Sequence, residues 1–185
     1  VRRKTRETDI KLSLNLDGSG NAKIDTPIKF FNHLLSAFAK HGNFDLKIQA
    51  TGDFPHHIVE DCMITLGMAL ERALGKKRGI QRMGEAVVPM DDALVLVAVD
   101  LSGRIYFDIE CNFRKKRLDD LSSDLVSHML QTFAANGRFN LHVEALRGVN
   151  DHHKAEAVFK ALGVALRRAV QKLPKRKIPS TKGVI

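Results

Sequence analysis

Two short motifs carry the most distinctive chemistry of the chain, His56-His57-Ile-Val-Glu60 and His152-His153-Lys-Ala-Glu156. On a helix, residues four apart are offset by about 40° and adjacent ones by about 100°. His56 and Glu60 therefore share a face while His57 points round the side. If the motif opens a helix, its first histidine and its glutamate could serve one metal and its second histidine another. Neutral imidazole with one carboxylate suits Mn²⁺, Fe²⁺ or Zn²⁺ and is poorly suited to Ca²⁺. Neither motif contains cysteine, which argues against a thiolate zinc site, and the His-Glu-x-x-His order of zinc peptidases is absent.

One His-His-x-x-Glu alone is better read as a surface or helix-cap feature; its recurrence inside a longer repeat, each copy with a further histidine upstream, reverses that and points to metal. Setting His33 against His128 aligns Asn32-His-Leu-Leu-Ser-Ala-Phe-Ala with Ser127-His-Met-Leu-Gln-Thr-Phe-Ala. One residue of slippage later the two His-His-x-x-Glu motifs coincide, and Leu66-Gly-Met-Ala-Leu70 then falls on Leu162-Gly-Val-Ala-Leu166. Shared histidines, glycines and a glutamate at nearly fixed spacing indicate a tandem duplication. The halves meet near Val87 to Met90. The expected division is 1–88 for the first half and 89–185 for the second with its tail, in one integrated domain. The repeat selects His33, His56, His57 and Glu60 from the first half and His128, His152, His153 and Glu156 from the second. These eight residues suit two sites of three histidines and one glutamate each. His41 and His142 have no counterpart in the other half.

The elements that must position these residues follow from periodicity. Ile10 to Leu16 alternates as a half-buried strand does, and Asp17-Gly-Ser-Gly20 is a hairpin turn signal. Phe30 to Lys40 has the stripe of an amphipathic helix closed by Gly42, Phe44 to Ala50 alternates again, and Glu60 to Leu74 is a second helix ended by Gly75. The second half repeats this as Ala93 to Val99, Ile105 to Phe113, Leu121 to Ala135, Phe139 to Ala145 and Lys154 to Val170. Each half thus reads β-β-α-β-α. The fold expected is α+β, two sheets with the helices of both halves packed between them.

Composition bounds the function. The chain of 185 residues is 44% hydrophobic and 28% charged, within the range of a globular domain. Its net charge of +9 favours an anionic partner: a phosphorylated metabolite, nucleic acid or a membrane surface. The longest purely apolar run, Ala93 to Val99, is too short to cross a bilayer. The first ten residues hold no apolar h-region, so no signal peptide is expected. Cys62 and Cys111 cannot build a disulfide scaffold, and a reducing cytoplasm is the expected location. A nucleic-acid-binding module is suggested by charge alone, and Tyr 1 with Trp 0 leaves it no aromatic stacking set.

Glu7-Thr-Asp-Ile10, Phe30-Phe-Asn-His-Leu34, His41-Gly42, His56-His57-x-x-Glu60-Asp61 and Gly79-Ile-Gln-Arg82 resemble the imidazoleglycerol-phosphate dehydratase family. So do Pro89-Met-Asp91, Asp100-Leu-Ser-Gly-Arg104, His152-His153-x-x-Glu156, Phe159-Lys-Ala161 and Ser180-Thr-Lys-Gly183. The similarity runs in order from about Arg6 to the last residue. It implies the duplicated fold called ribosomal protein S5 domain 2-like, and a metal-dependent hydro-lyase of histidine biosynthesis. Such an enzyme dehydrates D-erythro-imidazole glycerol phosphate to imidazole acetol phosphate. The resemblance further implies two manganese(II) ions per active site and a homo-oligomer of about 24 subunits with metal sites at the subunit interfaces. The metal ligands would be the eight residues named above. Glu60, Glu156 and Glu7 are the implied acid/base groups, with Glu156 favoured as the ring-proton base. Glu7, His41, Arg82, Arg104, Lys160, Ser180, Thr181 and Lys182 fall at substrate-side positions, where fixed cations meet a phosphate.

Loss of water here needs removal of a carbon-bound proton that no adjacent carbonyl acidifies. An imidazolate held by metal can expel the hydroxyl through the ring, giving a diazafulvene-like species whose neighbouring proton is acidic. A metal-binding oligomer without turnover is the competing expectation. Three departures from the family bear on the sites: Asn32 where Asp is usual, a shortened approach Gly52-Asp-Phe-Pro-His56, and Asp92 where Glu is common. The first is expected to weaken ligand support, so that Asn32→Asp would tighten manganese binding.

Overall fold

The computed structural model describes residues 1–174, 180–181 and 183. The strong alternations form strands where expected. In β2 (Thr8–Asn15), Ile10 and Leu12 are buried while Lys11 and Ser13 are exposed; in β6 (Ala93–Asp100), Val95, Val97 and Val99 are buried. With β3 (Ala22–Asp25), β4 (Asp45–Gly52), β7 (Tyr106–Glu110) and β10 (Asn140–Arg147), they form two four-stranded sheets.

Each half carries one more strand than expected, β1 (Arg2–Lys4) and β5 (Met83–Met90). The sheet orders β1-β2-β4-β3 and β5-β6-β10-β7 correspond strand for strand, so the halves read β-β-β-α-β-α. Three charged residues give β1 no apolar alternation; it is held by ladder pairing with β2 and by Arg3 Nε, which donates to the buried Asp61 at 2.7 Å. Pro89 weakens the strand signal of β5 but is tolerated on this edge strand. The 88/89 division falls inside β5, whose place in its sheet matches that of β1.

Asp17-Gly-Ser-Gly20 does not close a hairpin. β4 lies between β2 and β3, antiparallel to the first and parallel to the second. The turn instead wraps the start of β4, where the Asp45 carboxylate accepts from the Ser19 and Asn21 amides at 3.0 Å each.

Four helices fill the space between the sheets: α1 (Lys29–Gly42), α2 (Pro55–Leu74), α3 (Ser123–Gly137) and α4 (Asp151–Ala169). α2 packs on the first sheet and α4 on the second, while α1 lies against α4 and α2 against α3. Both long helices start earlier than the apolar stripe suggests. Pro55 at the first helical position opens α2, and the Asn150 side chain accepts the His152 amide at 3.0 Å to open α4. Each His-His pair therefore stands in a first helical turn with its glutamate one turn on.

The helix pairs meet at glycines that the repeat has duplicated. A Cβ at Gly163 of α4 would lie 2.4 Å from the Phe38 carbonyl oxygen and 2.9 Å from the Gly42 amide of α1. One at Gly67 of α2 would lie 2.7 Å from the Gly137 amide of α3. Backbone cannot yield as a flexible side chain does, so Gly67→Ala and Gly163→Ala are each expected to lower stability by about 2 kcal/mol, overpacking outweighing the gain in helix propensity. Guanidinium denaturation measures this; a midpoint equal to that of the parent chain would show that the helices have room to spare.

Candidate metal centres

The helix pairing carries His33 out of its own repeat and into the other. His33 of α1 meets His152 and Glu156 of α4, with one donor atom from each within 4.8 Å of the others. His33 Nε2 lies 3.1 Å and His152 Nε2 3.6 Å from Glu156 Oε2. The mirrored cluster joins His128 of α3 to His56 and Glu60 of α2, within the same limit. There His128 Nε2 lies 3.3 Å from Glu60 Oε1, and the His56 and His128 rings stack at 5.1 Å. Each cluster thus holds two histidines and one glutamate from this chain, and each draws on both halves.

The missing pair, His57 and His153, turns away as the 100° step requires. His57 Nδ1 sits 2.8 Å from Asp53 and 3.7 Å from Glu7; together they form a third cluster of donor atoms. His153 Nδ1 sits 2.6 Å from Asp92, with Asp91 3.5 Å from its other nitrogen. A carboxylate on Nδ1 fixes the tautomer and leaves Nε2 as the donor to anything beyond. The hydrogen bond to Asp53 raises the pKa of His57. Asp92 is held far below the usual carboxylate range by the Asn150 amide, then by His153 and the Val149 amide.

Carboxylates from loops brace the His33 cluster. Asp119 Oδ2 lies 2.9 Å from His152 Nδ1, which aims Nε2 at Glu156. Its neighbour Asp120 accepts from the Lys29 and Phe30 amides at 2.6 and 2.9 Å, capping the helix that carries His33, whose own N-cap residue Ile28 has no polar side chain. Both aspartates sit at the tip of a small hairpin, β8 (Arg117–Leu118) and β9 (Leu121–Ser122), with Asp119 in the left-handed region at φ 53°. The spacing of the histidines gives no hint of them; their only signal is an Asp-Asp pair between Leu118 and Leu121. A cleft of about 450 Å³ opens here, lined by Phe30, His33, Asp119, His152 and Glu156 among others.

The two glutamates differ. Glu156 is 8% exposed and pairs with Lys160 at 2.7 Å. Burial opposes its ionisation, but the hydrogen bonds from Lys160 and His33 prevail and hold its pKa below the ordinary value. Glu60 is more exposed, and the position one turn beyond it is the apolar Ile64 where Glu156 has Lys160.

The donor set suits a divalent transition metal. His128 Nε2 is buried and makes no hydrogen bond among the described residues; its 3.3 Å approach to Glu60 lacks hydrogen-bond alignment. Two electron-rich atoms converging in this way satisfy each other poorly and would satisfy a cation well.

Of the substrate-side residues, Lys160 stands beside the His33 cluster, and Glu7 beside His57. His41, at the end of α1, has its pKa pushed down by burial and by the nearby Lys160. Arg82 engages Asp100 through two bonds of 2.7 and 2.9 Å. Arg104 lines a separate cleft with Lys76, Lys77 and Arg138 that includes no residue of the histidine clusters. Ser180 is half-buried, Thr181 is exposed, and Lys182 lies outside the described residues. Asn32 does not support its neighbour's imidazole, contrary to expectation. Its amide oxygen accepts from the Thr26 hydroxyl at 2.7 Å and its amide nitrogen donates to the Thr26 carbonyl at 2.9 Å, which ties the end of β3 to α1.

The comparisons agree with this geometry. The model of the family Imidazoleglycerol-phosphate dehydratase matches residues 26–166. The imidazoleglycerol-phosphate dehydratase of Dehalococcoides mccartyi is 54% identical over 187 residues, covering 100% of this chain and 95% of its own. That of Methanococcoides burtonii is 51% identical over 188 residues, covering 100% and 97%. The crystal structure of the Pyrococcus furiosus enzyme superposes with a TM-score of 0.88 at 39% identity, covering 100% of both chains. That from Staphylococcus aureus gives 0.83 at 31%, covering 93% of this chain and 98% of the other. With the duplicated sheets, the interleaved helices and both histidine clusters in place, the chain belongs to the imidazoleglycerol-phosphate dehydratase family of hydro-lyases.

Proposed function

We propose that this chain dehydrates imidazole glycerol phosphate to imidazole acetol phosphate in histidine biosynthesis, with two manganese ions. The observation that carries the proposal is the pair of mirrored clusters, His33·His152·Glu156 and His56·Glu60·His128. Bound there, the metals would supply Lewis acidity to the ring nitrogens of the substrate, easing departure of the hydroxyl. The chain's own residues do the remaining work. Asp119 fixes the His152 tautomer, and Lys160 holds Glu156 ionised. Glu7, Glu60 and Glu156 are the carboxylates available at the clusters for proton transfer. Arg82, Arg104, Lys160 and Ser180 are the proposed phosphate contacts, with His41 beside Lys160.

Two histidines and a single carboxylate leave each cluster open on one side. His57 and His153, braced by Asp53 and Asp92 but turned outward, are the proposed ligands for sites completed by neighbouring subunits. Phe54 and Val149, 61% and 66% exposed just before the two motifs, support a protein cover at these openings. No helix of the described residues is long and apolar enough to cross a membrane. The free, buried Cys62 and Cys111, their thiols pushed up to about 12 by burial, suit a reducing cytoplasm.

Elemental analysis after manganese loading is expected to give two equivalents per chain, and less than one overturns the metal reading. His56→Ala and His152→Ala should each lower metal content and abolish turnover, while chelation should shrink the particle in light scattering. Asn32→Asp should fail to tighten manganese binding. It places a carboxylate against the Thr26 carbonyl and loses a donor, so stability should fall by about 1–3 kcal/mol. Thermal unfolding and calorimetric titration of the same variant separate the two effects, and tighter binding at unchanged stability would return Asn32 to the role of ligand support.

A further inference from the structure

Asp61 is a buried charge that the duplication does not share. It follows Glu60 on α2 and is 7% exposed, accepting from Arg3 Nε at 2.7 Å and from the Thr8 hydroxyl. The repeat that sets His56 on His152 and Glu60 on Glu156 sets Asp61 on Ala157. Thr8 in turn opens β2 as Ala93 opens β6, the matching strand of the other sheet. Ala157 and Ala93 are buried, at 0% and 2% exposed. Corresponding positions of one molecule are thus filled by two alanines in one half and by a carboxylate and a hydroxyl in the other. Desolvating an ion pair is costly, and apolar residues often serve stability as well or better. The second half shows that this fold closes without the charge, so packing alone does not account for Asp61.

What the charge reaches is the turn that carries Glu7. A hydroxyl has one proton to give. Thr8 gives its own to Asp61, so across the 3.2 Å between the Thr5 and Thr8 hydroxyl oxygens Thr5 is the donor. The Thr5 oxygen is then oriented as an acceptor, and it receives the Glu7 and Thr8 amides at 3.1 and 3.0 Å. The Thr5 amide returns to the Thr8 carbonyl at 2.9 Å, and the Asp53 amide donates to the Glu7 carbonyl at 3.1 Å. The turn so held comprises Thr5, Arg6 and Glu7, whereas β5 and β6 are joined by Asp91 and Asp92 alone. It ends at the Glu7 carboxylate, 3.7 Å from His57 Nδ1.

We propose that Asp61 is a positioning residue for Glu7, acting through Thr8 and Thr5 while Arg3 ties β1 to the same carboxylate. The proposal rests on the reading of Glu7 as a carboxylate of the reaction. Asp61 belongs to none of the three donor clusters; it borders Glu60 in sequence, but its carboxylate bonds run to β1 and β2.

The test uses the full chain loaded with manganese and imidazole glycerol phosphate as substrate. Thr8→Val removes the hydroxyl at nearly unchanged volume and leaves the Arg3–Asp61 pair in place. It is expected to speed amide exchange at Glu7 and Thr8 and to lower kcat, each by about tenfold or more, with the metal content of the parent retained. Thr8→Ser, which keeps the hydroxyl, should restore both. Asp61→Asn should act as Thr8→Val does, and where it fails to fold Thr8→Val carries the test. Glu7→Gln combined with Thr8→Val should be no slower than Glu7→Gln alone, because a carboxylate already removed has no position left to lose. Metal content that falls with the rate would place the effect at Glu60 and overturn the proposal. So would unchanged exchange at Glu7 and Thr8, or losses that multiply in the double variant. Faster exchange in Thr8→Val beside a Glu7→Gln chain that turns over at the parent rate would uphold the positioning and overturn the reading of Glu7 instead.

Discussion

Everything at the two candidate metal centres depends on how closely two pairs of helices approach. His33 reaches Glu156 because α1 lies against α4 with Gly42 and Gly163 at the contact, and His128 reaches Glu60 because α3 lies against α2 with Gly137 and Gly67 there. A side chain at Gly163 or Gly67 would meet the backbone of the facing helix and push apart donor atoms that now stand 3.1 and 3.3 Å from each other. Protein interiors transmit such displacements because they are packed at crystalline density. The glycines and the clustered histidines and glutamates are therefore parts of one arrangement.

Around that frame the protein spends its carboxylates on orientation. Asp53, Asp92 and Asp119 each face the Nδ1 of a histidine, and Asp120 holds the start of the helix that carries His33. All four act from turns and bends between elements, which lets them adjust a ring or a helix end without disturbing the helix beneath it. The two clusters are alike in donors yet unlike in charge, since Lys160 neutralises Glu156 and the hydrocarbon side chain of Ile64 offers Glu60 no such partner. The duplicated geometry thus carries divergent electrostatics.

The His-His-x-x-Glu motifs were legible in the sequence because their information is local: one helical turn decides which side chains share a face. The duplication was legible for a related reason, since it is a statement about order along the chain. What escaped was set by distance. Asp119 acts on His152 across 33 residues and Asp92 on His153 across 61, and no periodicity links them. β1 escaped because a strand of Arg2, Arg3 and Lys4 has no apolar face to alternate; its place is set by pairing with β2 and by Asp61. The Asp17-Gly-Ser-Gly20 turn misled because a turn signal says that the chain reverses, and says nothing about a later strand inserting between the two arms. Asn32 misled because sequence adjacency to His33 is not spatial contact: neighbours on a helix diverge by about 100°.

The exchange of histidines between repeats also bears on ancestry. A single-repeat polypeptide carrying one His33-like and one His-His-x-x-Glu segment would own no complete cluster. Two copies related by a twofold axis would own two identical ones, since each would lend its histidine to the other across a self-complementary contact. Joining two such copies in one chain replaces a concentration-dependent encounter with a tethered one, as linking two modules does generally. It also frees the halves from having to be the same. Lys160 opposite Ile64, and the Asp119 hairpin with no counterpart strand pair in the first half, are differences that a symmetric dimer of identical chains has no way to hold.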